Sequence, residues 1–109
     1  MDPHLLIKAL EKFRDLEPTM SLPSVLAFLY VARRGVCGQK EIEQELRLSN
    51  AAASRNVSFW TEFKVYEKSG KGFLFRYEDP MDRRNKLLRL TPEGEAFYKD
   101  LTGRNPTCA

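Results

Sequence analysis

YEDPMDRRNKLLRLTPEG, residues 77–94, decides how the rest of this chain is read. Upstream of it, the run FLFRY at 73–77 sets Phe73, Phe75 and Tyr77 against Leu74 and Arg76. Inside it, KLLRL at 86–90 sets Leu88 and Leu90 against Leu87 and Arg89. Alternation with period two, rich in aromatic and aliphatic residues, suits a half-buried strand. Residues 78–85 hold Pro80, Asp82 and Asn85, all compatible with turns, so the two runs predict an antiparallel hairpin with a long tip. The second run meets Thr91-Pro92-Glu93-Gly94. Thr91 can cap a helix, and Pro92 suits its first position, where no intrahelical N–H bond is lost.

Five helical segments complete the reading. Residues 3–16 place Leu6, Leu10 and Phe13 on one stripe, with Ala9 and Leu16 beside it. A second helix starts at Ser21-Leu22-Pro23. It carries Val25, Leu26, Leu29 and Ala32 as its stripe, with Phe28, Tyr30 and Val31 making it apolar nearly all round, and it closes at Gly35. Residues 38–46 form a short polar helix with Ile42 and Leu46 turned inward. After the turn Arg47-Leu48-Ser49, Ser49 caps a helix over 50–63 whose inner face is Ala53, Val57 and Trp60. Two short helices joined by about three residues make a helix-turn-helix. The last helix, residues 92–101, turns Ala96, Phe97 and Leu101 towards the body. Residues 102–109 read as a frayed polar tail, and Lys68-Ser69-Gly70-Lys71-Gly72 as a flexible turn.

The outer face of the 50–63 helix has the chemistry of a major-groove reader. It carries Ala51, Arg55, Ser58 and Glu62, flanked by Asn50, Ala52, Ser54 and Phe59. Its first turns are small and uncharged, so the backbone can approach base edges. Asn50 suits adenine, alanine methyls suit thymine methyls, and Arg55 suits guanine or phosphate. Taken alone, such a face reads first as a plain surface helix with good alanine propensity. The charge pattern alone reads first as a solvated face, though its placement suits nucleic acid. Residues 49–91 hold nine basic and five acidic side chains, residues 1–48 seven of each, and the whole chain is +3. The cationic excess lies where phosphate contacts are needed.

With a helix-turn-helix upstream, the hairpin becomes a wing, and here the sequence resembles the MarR family of winged-helix transcription regulators. The resemblance rests on Asp82 and Arg84, the apolar strand after them, and Leu90, Thr91 and Gly94. It is supported by Ala53-Ser54-Arg55-Asn56-Val57, similar to the family's reading helix. Lys64-Val65 departs from the Gly-Leu usual after that helix. The resemblance, which covers residues 22–101, implies a mainly α fold with a small β-hairpin, double-stranded DNA as partner, and homodimers. It implies that Arg84 reaches a minor groove while Asp82 orients the wing. Family members carry a longer C-terminal helix pair, so the short last helix argues against a small-molecule effector.

The expected organisation is one winged-helix domain over 1–109. Residues 1–17 form an N-terminal helix suited to dimerisation, 38–63 the helix-turn-helix, and 72–91 the wing. Ser49, Asn50, Ala51, Ala52, Ser54, Arg55, Ser58, Arg83 and Arg84 are the expected DNA-binding residues, with Asp82 organising the wing. The Leu6/Leu10/Phe13 stripe either joins two copies or closes the chain's own core. The competing function is a winged-helix protein-interaction module of a replication or transcription assembly.

An enzyme is not expected. His4 is the only histidine and stands near a terminus without an evident partner. Cys37 follows Arg33 and Arg34, which could lower its pKa, but no base is in sight. Asp79 and Asp82 read as turn and wing residues rather than a metal pair. Cys37 and Cys108 match no metal or CxxC spacing and read as reduced thiols of a cytoplasmic protein. There is no Walker A pattern, no cofactor motif, no internal repeat, no signal-peptide pattern and no apolar run that spans a membrane.

Overall fold

Thr91 ties the C-terminal half together. In the computed structural model, which describes residues 2–62 and 72–104, its hydroxyl donates to the Gly72 carbonyl at 2.8 Å and accepts from the Gly94 N–H at 3.0 Å. Its own N–H bonds the Phe73 carbonyl at 3.0 Å. One side chain thus caps a helix and pins that helix to the start of the preceding hairpin.

The order is α1 (Pro3–Leu16), α2 (Leu22–Arg34), β1 (Val36–Gly38), α3 (Gln39–Leu46), α4 (Asn50–Glu62), β2 (Leu74–Asp79), β3 (Asp82–Leu90) and α5 (Pro92–Thr102). The fold is a winged helix-turn-helix, five helices with a three-stranded antiparallel sheet ordered β1-β3-β2. The helix starts follow their sequence signals. Asp2 accepts from the His4 N–H, Ser21 from the Ser24 N–H and Ser49 from the Ala52 N–H, and Pro3, Pro23 and Pro92 stand in first turns. Gly35 ends α2 at φ 88°, a backbone conformation that costs glycine little.

Several expectations need correction. β1 was not anticipated: three residues are too few to show a period, and what makes them a strand is their partner, with Cys37 opposite Leu88. The hairpin tip is short. The strands continue to Asp79 and from Asp82, leaving Pro80 and Met81 as the turn, because the ladder shifts register after the Glu78–Lys86 pair, whose side chains bond at 3.4 Å, and closes with Asp79 opposite Asp82. Arg83 and Arg84 therefore lie on β3, just past the tip. On α2 the buried face is Ser24, Val25, Ala27, Phe28, Val31 and Ala32, whereas Leu26 points outward at 42% exposure. A helix apolar all round gives no unique stripe, and small Ala27 lets α2 turn that side inward. On α5, Ala96 is exposed while Phe97, Tyr98 and Leu101 pack on the core. The readings made for Phe63, Lys64-Val65, residues 68–71 and 105–109 lie outside the described residues.

The core is an aromatic stack. Phe28 lies 5.0 Å from Trp60, Trp60 stacks on Phe73 at 5.9 Å and 18°, and Phe97 stands 5.1 Å from Phe73 and 5.3 Å from Phe13. These rings come from α1, α2, α4, the root of β2, and α5. Each offset or edge-on pair adds about 0.5–1.5 kcal/mol beyond the area it buries.

The Leu-Thr-x-x-Gly pattern has a steric cause. A Cβ on Gly94 would lie 2.1 Å from the Phe73 carbonyl oxygen, so α5 rests directly on the backbone of the hairpin root. Gly94→Ala should therefore lower stability by about 2–3 kcal/mol, a typical overpacking cost, read as the shift of a urea melt. An unchanged midpoint would mean that α5 does not need this close approach.

Candidate nucleic-acid interface

The turn between α3 and α4 is built without glycine. Arg47 adopts the left-handed conformation, φ 54° and ψ 47°, and closes α3 with its N–H on the Glu43 carbonyl. The Leu48 N–H reaches that same carbonyl at 2.9 Å, and Ser49 then starts α4. Glu41 steadies the other end of α3. Its carboxylate accepts from the Gly38 N–H at 3.2 Å and the Tyr30 hydroxyl at 3.5 Å, and it pairs with Arg34 at 3.4 Å.

α4 is held by its inner face. Ala53, Val57 and Trp60 are fully buried, as the spacing predicts. On the far side Asn50, Ala51 and Arg55 are exposed, and Ala52, Ser54 and Ser58 are half-buried. Ser49 is exposed, with its hydroxyl engaged as the cap. The Asn50 amide donates to the Glu43 carboxylate at 3.1 Å, so it must leave that bond to meet a base. Nothing is described of the Glu62 side chain.

The wing shows the local order that the Asp-x-Arg spacing implies. One Asp82 carboxylate oxygen accepts from both the Arg84 N–H at 3.1 Å and the Arg84 Nε–H at 3.3 Å. The Arg84 side chain remains 91% exposed, so the pair aligns a cation that stays available to solvent. An exposed pair of this kind adds about 0–1 kcal/mol to folding. Asp79 orders the turn by accepting from the Met81 N–H at 2.9 Å.

Wing and helix-turn-helix open onto one cleft. A cavity of about 330 Å³ is lined by Gly38, Gln39, Lys40, Glu41 and Glu43, by Asn50 at the start of α4, and by Asp79, Arg84, Asn85, Lys86 and Leu87 from the wing. The start of α4 and Arg84 therefore stand on the same side of the molecule. Arg76 crosses from β2 to bond the Gln39 side chain at 3.0 Å, fixing the wing against α3. Arg83 is exposed and does not line this cleft.

Two features escaped the sequence reading. Met81 is 91% exposed at the tip. Only the true length of the hairpin places it there. Asn56 faces α2 rather than solvent and bonds Ser24 at 2.7 Å, a pairing that helical periodicity alone does not reveal.

Cys37 is a correction. It is 1% exposed, and burial pushes its thiol up to about 12, helped by Glu41 and opposed by Arg34. A protonated buried thiol is a core side chain rather than a nucleophile. Among the described residues no cluster of His, Cys, Asp and Glu could hold a metal ion, and no helix is long and apolar enough to cross a membrane.

No protein-family model and no curated protein matches the chain. Solved structures do match. The transcriptional regulator Tm0710 from Thermotoga maritima superposes with a TM-score of 0.72 at 19% identity, over 93% of this chain and 64% of its own. The MepR–DNA complex of S. aureus gives 0.68 at 19%, over 92% of this chain and 74% of its own. A mutant of E. coli MarR, complexed with operator DNA, gives 0.62 at 18%, over 92% and 67%. The fold is thus the winged helix of the MarR-type regulators, the fold that the wing residues implied. This chain spans 64% of the length of Tm0710 and of a MepR mutant that it also matches.

Proposed function

We propose that this protein is a sequence-specific, double-stranded DNA-binding transcription regulator. In this reading α4 enters the major groove and the wing enters the adjacent minor groove. The observation that carries it is the shared cleft, where the start of α4 and the Asp82-aligned Arg84 stand together. Two of the structures similar in fold are complexes with DNA.

The roles follow from exposure and chemistry. Ala51, Ala52 and Ser54 offer small contacts to base edges, Asn50 and Arg55 bond bases or phosphates, and Ser58 and Ser49 serve the flanking backbone. Arg83 and Arg84 address the minor groove, whose negative potential is greatest where A·T-rich sequence narrows it. Arg84→Ala should weaken binding to many sequences and shallow its salt dependence, with the melting temperature barely moved. Asp82→Ala should also weaken binding, although it removes a charge that phosphates repel. Both effects are read in titrations at two salt concentrations. Tighter binding by Asp82→Ala would show that the aspartate does not organise the wing.

The unit that binds is proposed to be a homodimer joined through α1 and α5. Phe13 closes the chain's own core at 2% exposure. Leu5, Leu6, Ile7 and Leu10 stay 42–60% exposed on the same helix, and Lys12 fastens α1 to α5 through Asp100 at 3.1 Å. Such an apolar patch is unusual on a free surface. Sedimentation should give a dimer at micromolar concentration, reduced to monomer by the pair Leu6→Glu and Leu10→Glu. Operator half-sites should lie about 10 bp apart. A monomer together with asymmetric operators would overturn the dimer, and a monomer that takes up a different protein through this face would favour the interaction-module reading.

A further inference from the structure

Between α2 and α4, from the edge of the apolar core inward, runs a chain of directional hydrogen bonds. The Ser24 hydroxyl, on a residue 5% exposed, donates to the Asn56 side-chain carbonyl at 2.7 Å. The Asn56 amide donates to the Ala52 carbonyl at 2.8 Å. One turn further along α4, the Trp60 indole N–H donates to the Ser24 carbonyl at 2.6 Å. The Ser21 hydroxyl accepts from the Ser24 N–H at 3.3 Å and lies 3.0 Å from the Ser24 hydroxyl. With Ser24 donating to Asn56, a consistent proton order has Ser21 donating to Ser24.

Apart from the Phe28–Trp60 ring contact at 5.0 Å, the packing of α4 on the core is of a kind that does little to fix rotation. Ala53 and Val57 meet the core through methyl groups, and apolar burial is non-directional. Two hydrogen bonds to one residue, from positions a turn apart, fix both roll and axial position. A roll of about 10° moves a group about 6 Å from a helix axis by about 1 Å. That is enough to misplace a base contact, which must be held within about 0.5 Å. Asn56 is the sequence neighbour of Arg55, and its amide holds the carbonyl of Ala52.

We propose that Ser24 and Asn56 are positioning residues for sequence recognition: their bond sets the roll of α4 and so decides how strongly the protein prefers its own site over other duplexes. The inference rests on the DNA-reading function proposed above. Ser24 is buried and touches no DNA in that reading, so an effect of replacing it acts through Asn56 and the orientation of α4.

The test is the ratio of affinities for a duplex selected from a random pool by the wild-type protein and for a scrambled duplex. It is measured at one salt concentration alongside melting temperatures. Ser24→Ala and Asn56→Ala should each lower the ratio about tenfold, the discrimination of about one base contact. The double variant should lose no more than either single one, since both break the same bond. Phe97→Leu, a core change on α5 that removes none of these hydrogen bonds, supplies a comparable loss of stability and should leave the ratio unchanged. If Ser24→Ala does not fold, Ser24→Cys replaces it, close in size with a weak donor. A wild-type ratio in the Ser24 and Asn56 variants, or an equal fall in Phe97→Leu, would overturn the positioning role while leaving the DNA-reading function standing. A wild-type protein that enriches no sequence would overturn both.

Discussion

Everything on the outer face of α4 depends on how Trp60 is held. Its ring fills the centre of the molecule between Phe28 and Phe73, fully buried, and its N–H finds the Ser24 carbonyl at 2.6 Å. Large aromatic rings contribute most of a small core's apolar area, and a buried indole N–H needs a partner. Here the partner lies in the first turn of α2. The largest fully buried side chain of α4 is thereby tied to the helix that packs behind it. The Trp60 carbonyl also accepts from the Phe73 N–H at 3.0 Å, so the hairpin begins from the end of the same helix. α4 and the root of the wing are held by one anchorage.

The wing's second support is steric and lies at the same root of the hairpin. Thr91 and Gly94 bring α5 onto the Gly72-Phe73 backbone, and Arg76 fastens β2 to α3 through Gln39. β1 adds a third strand on the far edge of β3. A hairpin alone is marginal in water, and a third strand with a helix behind it gives independent stability. The exposed Asp82–Arg84 pair then orders the last few residues at little energetic cost.

The fold was legible because its punctuation is strong. Ser21, Ser49 and Thr91 cap the helices that they precede, and the alternation through 73–77 and 86–90 gives the strands. Period alone placed Ala53, Val57 and Trp60 inward. What the sequence hid has physical causes. Val36–Gly38 is a strand only because β3 offers an edge to it. The tip shrank to Pro80 and Met81 because the ladder shifts register beyond Glu78 and sets Asp79 opposite Asp82. Cys37 seemed open to its neighbouring arginines, but pairing with Leu88 carries it into the core, where burial outweighs Arg34. Leu26 and Ala96 sit on helices whose apolar residues do not define a single face. For the site, residue types and spacing gave the outer face of α4 and the Asp82–Arg84 alignment. The cleft shared by Asn50 and Arg84 is a tertiary fact that no local pattern carries.

The central claim, α4 in a major groove with the wing in the minor groove beside it, is tested most directly by a dimethyl sulfate footprint on a selected duplex. The reagent reads guanine N7 in the major groove and adenine N3 in the minor groove, so each contact is reported separately. The account predicts protected guanine N7 atoms at the centre of each half-site and protected adenine N3 atoms on its flank. With Arg84→Ala, only the adenine protection should be lost. Protection confined to one groove, or adenine protection that survives Arg84→Ala, would contradict it.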